Sequence, residues 1–133
     1  MRQTQFTRVI ILSAELDTLT PKDNRVRTKN LKNCLRDLEI TPHGAVGAYK
    51  NSVEHIVIAF PKDELEADVI TQLALRQFGQ DSVLYRGMNG VASLFFSDGN
   101  TKELGTLVET SMALARRHEN YTVFNNKYYV TKG

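Results

Sequence analysis

TKELGTLVETSMALARR, residues 101–117, decides what kind of fold this chain is read as. Thr101 offers an N-cap hydroxyl, and Leu104, Leu107, Val108, Ser111, Met112 and Ala115 recur at helical spacing. Arg116, Arg117 and His118 follow at the end where the helix dipole favours cations. The spacing predicts a third helix, and with it a layered α+β domain.

Working outward, residues 7–13 (TRVIILS) are β-branched and apolar and read as a central strand. Residues 20–38 (TPKDNRVRTKNLKNCLRDL) read as the first helix, with Thr20 as N-cap, Pro21 as first residue and Asp23 completing a capping box. Residues 44–49 and 53–60 form a hairpin around a turn at Lys50-Asn51-Ser52. Ile56, Ile58 and Phe60 share a face with Glu54. A second helix opens after Pro61, with Leu65, Val69, Ile70, Leu73 and Ala74 as its apolar stripe and Gly79 as its stop. Strands follow at residues 82–86 and 91–97. After the third helix, residues 121–124 and 127–130 flank an Asn125-Asn126 turn able to adopt positive φ.

The expected order is βαββαβ-βαββ, as one domain over residues 1–133. The first six elements have the order of a ferredoxin-like unit, and the whole fits a two-layer sandwich with helices on a mainly antiparallel sheet.

Composition excludes several classes. With 41% hydrophobic and 24% charged residues the chain is an ordinary globular one, and a net charge of +2 does not favour nucleic acid as a partner. No run approaches the ~20 apolar residues that span a membrane. The N-terminal residues carry no signal-peptide pattern, and Cys34 is the only cysteine, so a reducing, cytoplasmic setting is expected. His43, His55 and His118 are isolated, so no metal site and no cofactor is expected; Walker, GxGxxG and GxSxG motifs are absent from the sequence.

The first helix carries the sharpest functional signal. Arg25, Lys29, Lys32 and Arg36 form a basic stripe that reads as a solvated outer face, a phosphate-contacting face on nucleic acid, or a surface patch for a protein partner. Leu31, Cys34, Leu35 and Leu38 fall on the inner side, and Asn24 and Arg27 continue that side at the helix's positive end. A buried arginine needs an acceptor, and Glu54 is the candidate: either the pair tethers helix to sheet, or Arg27 holds an anionic group. Gln80 and Ser82, in the run Phe78-Gly79-Gln80-Asp81-Ser82, are polar at the start of a strand and could line the same pocket.

Asn24-Arg25-x-Arg27, the segment GAYKNSVEH with Gly47 and Glu54, and FGQDS together resemble an uncharacterised family of small proteins of bacteria and their tailed phages. The resemblance spans about Val9 to Leu94, implies a phage or bacterial cytoplasmic origin, and carries no assigned activity. His55 departs from a Ser common in that pattern, and Thr28 or Lys29 from a second Asn.

The expected function is a non-catalytic domain, more a binder than an enzyme. It would hold a small polar or anionic, nucleotide-like ligand through Asn24, Arg27, Glu54, Gln80 and Ser82. A phage-type inhibitor or protein-interaction module acting on a host protein is the second reading. A phosphate-directed hydrolase, with Glu54 as base and Arg27 as electrophile, is the third. Homo-oligomerisation is left open.

Overall fold

The computed structural model describes residues 6–49 and 52–133. The elements are β1 (Val9–Leu12), α1 (Pro21–Asp37), β2 (His43–Tyr49), β3 (Ser52–Ala59) and α2 (Glu64–Gln72). Then come β4 (Ser82–Arg86), β5 (Val91–Phe96), β6 (Thr101–Thr110), α3 (Met112–Ala115), β7 (Tyr121–Phe124) and β8 (Lys127–Lys132). The strands form a closed antiparallel barrel in the order β1-β3-β2-β7-β8-β6-β5-β4, with β4 pairing back onto β1. The expected two-layer sandwich is therefore wrong, and so is its ferredoxin-like start.

The error lies in residues 101–117. They form a ten-residue strand and a single helical turn of four residues. Thr101, Thr106, Val108 and Thr110 are β-branched, and Gly105 would cost a helix roughly 1 kcal/mol. A β-bulge explains why the apolar spacing looked helical. The β5–β6 register runs Ala92↔Gly105 and then Ser93↔Glu103, so Leu104 is an extra residue. Gly105 sits there with φ +95, and a Cβ on it would collide with the carbonyl oxygen of Lys132. The extra residue brings Leu104 and Leu107, three apart, to the same cavity wall. In this position β6 pairs with both β5 and β8 and removes two open edges.

The two longer helices form as the sequence dictates. Thr20 caps α1 by accepting from the Asp23 backbone N–H at 3.2 Å. Asp63 caps α2 by accepting from Glu66 at 2.8 Å, and α2 continues into a π-type turn, Leu73–Gln77, before Gly79 ends it with φ +63. Both pack against the outside of one half of the barrel. Ile10, Leu12, Val57, Ala59 and Val83 from β1, β3 and β4 meet Leu31 and Leu35 of α1 and Ala67 and Ile70 of α2. Ala74, Leu75 and Phe78 complete this core. The stripe assigned to α2 is corrected: Leu65 and Val69 are exposed, and so is Leu38 at the end of α1. Arg8 and Tyr85 fasten the start of α2 to the barrel through Glu64, at 3.1 and 2.7 Å.

The terminal hairpin turns at Asn125 and Asn126, both with positive φ (51 and 64). The expected turn residues Lys50 and Asn51 lie outside the described residues. Among the described residues, no helix is long and apolar enough to cross a membrane.

Candidate functional site

An eight-stranded barrel has an interior that its side chains fill or that a small ligand occupies. Here strand alternation assigns the two faces of β1 to different tasks. Ile10 and Leu12 face the helices, whereas Ile11 and Ser13 face inward. At the end where β1, β2, β5 and β8 finish and β3, β4, β6 and β7 begin, the interior opens into a cavity of about 440 Å³.

Much of the wall is apolar: Ile11, Ile56, Leu84, Leu94, Phe96, Leu104 and Leu107. The mouth is polar and acidic. Glu15, Asp17, Glu54, Asp81 and Glu119 line the cavity, against Lys102 as its only cationic lining side chain among the described residues. Tyr121 and Tyr129 add phenols.

Glu54 stands on β3 opposite Gly47 of β2, so no side chain faces it across that pair. The Ser13 hydroxyl donates to its Oε2 at 3.3 Å. Burial pushes the Glu54 carboxyl above its ordinary pKa; the neighbouring charges of Glu15 and Asp17 push the same way, and the Ser13 hydrogen bond opposes them. Glu15 is held differently: its Oε2 accepts from the His55 backbone N–H at 2.8 Å and lies 3.3 Å from His55 Nδ1.

The five residues expected to bind a ligand divide into two groups. Glu54, Gln80 and Ser82 line the cavity. Asn24 and Arg27 do not. Asn24 exchanges two hydrogen bonds with the backbone of Leu16, at 2.9 and 3.1 Å. Arg27 donates to the carbonyls of Ala14 (2.6 Å) and Phe78, and its guanidinium lies 5.6 Å from the Phe78 ring centroid. The anticipated Arg27–Glu54 pair is thus absent, because backbone carbonyls at the first turn's level reach the guanidinium first. Both residues grip residues 14–16, and Glu15, Leu16 and the adjoining Asp17 line the cavity. Gln80 helps, donating to Glu15 O at 3.0 Å and Phe78 O at 3.3 Å.

Of the basic stripe, Arg25, Lys29 and Arg36 are exposed and Lys32 is half-buried, its Nζ lying across Gly44. None lines the cavity.

Sequence reasoning missed Ser13, Glu15, Asp17, Lys102, Glu119 and the tyrosines. Ser13 was findable, because Val9, Ile11 and Ser13 continue one alternation and a hydroxyl stands where an apolar residue is due. Lys102 was hidden by the helical reading of β6.

Fold and site together describe a closed eight-stranded barrel with an open cavity, apolar along much of its wall and acidic at its mouth. The family model described as the S-adenosylmethionine lyase family matches residues 10–132. The chain belongs to that family. The match includes β6 to β8, which the motif resemblance left out. No curated protein matches the chain. Membership of a lyase family overturns the expectation of a non-catalytic domain that is more a binder than an enzyme. The inhibitor and phosphate-hydrolase readings fit no better, and the anionic ligand is at odds with the acidic mouth.

Proposed function

We propose that the protein cleaves S-adenosylmethionine in the barrel mouth by a lyase reaction. The observation that carries this reading is the cavity itself: five carboxylates and one lysine around an apolar recess, in a chain of this family. S-adenosylmethionine is a sulfonium with an ammonium and a carboxylate, so it carries a net positive charge. An acidic mouth concentrates and orients such a cation, and about 440 Å³ is the size of a small-molecule site.

Cleavage of a sulfonium carbon–sulfur bond sends the electron pair to sulfur and leaves a neutral thioether. The reaction thus discharges the sulfonium, and a lyase needs neither water nor an oxidant for it. The four-carbon fragment leaves as a cyclic ester when the substrate's own carboxylate displaces sulfur at the γ-carbon. It leaves as an alkene when a carboxylate of the mouth takes a proton from the β-carbon. Glu54 pairs with the cationic substrate, Gln80 and Ser82 supply polar contacts at the same wall, and the leucines with Phe96 exclude water around the reacting carbon. A cytoplasmic location belongs to the same proposal, because the substrate is an intracellular metabolite.

The test is direct. Purified protein is incubated with S-adenosylmethionine and the products are separated and weighed by mass spectrometry. Many equivalents of thioether nucleoside per protein are expected, with the ester or alkene identifying the route. Glu54→Gln should lower kcat/KM by about 10- to 100-fold, the loss on removing one partner of a half-buried charge pair. Failure of the wild type to consume the sulfonium would sink the reading.

A further inference from the structure

Ser13 is buried, with 5% of its surface exposed, and its hydroxyl is hydrogen-bonded both to the Glu54 carboxylate and to the backbone of Glu15. Its Oγ accepts from the Glu15 backbone N–H at 3.0 Å, which fixes the oxygen at the end of β1. Two acceptors then lie within its reach, Glu54 Oε2 at 3.3 Å and the His55 carbonyl at 3.5 Å. A hydroxyl has a single hydrogen, so it serves one of them at a time. A carboxylate is the stronger acceptor and takes it. Once Glu54 is protonated that advantage is gone, and the hydrogen is free to turn to His55.

We propose that Ser13 is the positioning residue for Glu54, its hydroxyl aiming the carboxylate into the cavity and holding it ready to pair with a cationic substrate. The inference rests on the reading that Glu54 meets the sulfonium substrate. Geometry gives the hydroxyl this part: it is anchored on one side by backbone, and Glu54 has Gly47 rather than a side chain as its cross-strand neighbour. The charges facing Glu54 leave it need of such help. Glu15 and Asp17 from the segment after β1 repel it, and Asp81 and Glu119 line the same cavity. Lys102 of β6 is the one lining cation among the described residues, and His55 points from the opposite strand face to Glu15. The Ser13 hydrogen bond lowers the Glu54 pKa against burial and the charges of Glu15 and Asp17.

The experiment compares wild type, Ser13→Ala and Ser13→Thr in two ways. One is the pH dependence of kcat/KM for S-adenosylmethionine. The other is the carboxyl titration of Glu54 in the ligand-free protein by carbon-13 NMR, assigned by the signal lost in Glu54→Gln. In Ser13→Ala both the acid limb and the NMR midpoint should move up by about one pH unit, with the high-pH plateau within about threefold of wild type. Ser13→Thr, which keeps the hydroxyl, should restore both. A purely structural serine would lower the plateau and leave the limb in place, and that result overturns the inference. An unmoved NMR midpoint overturns it as well, and if Ser13→Thr does not fold the alanine variant alone decides. Wild-type protein that turns over no S-adenosylmethionine defeats the proposed reaction and this inference with it. An active wild type with an unmoved Ser13→Ala defeats only the inference.

Discussion

Asn24 and Arg27 at the inner end of α1, and Glu54 with Ser13 in the barrel mouth, are polar groups turned away from water on two sides of the same short segment, residues 14–16. Behind the segment the hydrogen-bond geometry is closed. Both polar ends of the Asn24 amide meet Leu16, and Arg27 meets two carbonyls and a ring face. In front of it the geometry is open. Glu54 has one weak hydroxyl donor and a cavity before it. The difference teaches what marks a site. A polar side chain facing inward is not enough, because backbone carbonyls satisfy it readily. Polar groups left partly satisfied around free volume are the stronger mark.

The largest test of this contrast is Arg27→Met. It keeps the stem and strands the carbonyls of Ala14 and Phe78, so unfolding in urea should show a loss of about 2–4 kcal/mol. A loss below about 1 kcal/mol would mean that water replaces the guanidinium and that the clamp is not closed.

Next is Glu54→Gln, where activity and stability should part. Activity falls as given above. Stability should not. A carboxyl whose pKa is raised on folding binds its proton more tightly in the native state, so wild-type stability falls as pH rises from the ordinary value of 4.5 through the raised one. Glutamine carries no such penalty. Melting curves should therefore coincide near pH 4 and favour the variant at pH 8. A variant less stable than wild type at pH 8 would show that Glu54 belongs with the closed group.

The smallest effect is expected from Lys29→Glu. Lys29 is exposed and lies away from the mouth, so thermal stability should change by less than about 0.5 kcal/mol and kcat/KM by less than twofold. A larger drop in activity would extend the site to the outer face of α1.

Much of the local structure was legible in the residues. The Thr20 cap, the Gly79 stop and the Asn125-Asn126 turn follow from side-chain chemistry that acts within a few positions. The apolar run of β1 and the shared apolar face of β3 were equally plain. Leu65, Val69 and Leu38 misled, since an apolar residue on a helix need not find a partner. The decisive misreading was β6. There the bulge at Gly105 shifts the inward face by one residue, and a period of two takes on the look of a helical period. The site's lysine went with it: Glu54, Gln80 and Ser82 were marked by polarity at strand starts, while Lys102 sits on the misread strand.

By itself the sequence determined the two long helices, the Thr20 cap of the first, most of the strands and the presence of polar groups at inward positions, because these depend on propensity and short-range hydrogen bonding. Only the tertiary structure decided that the sheet closes. Closure depends on β6 filling the gap between β5 and β8, a choice governed by edge pairing between residues far apart in the chain. The same closure decided which inward polar groups meet a cavity and which meet backbone. It thereby turned an expected anion pocket on a helix into an acidic barrel mouth.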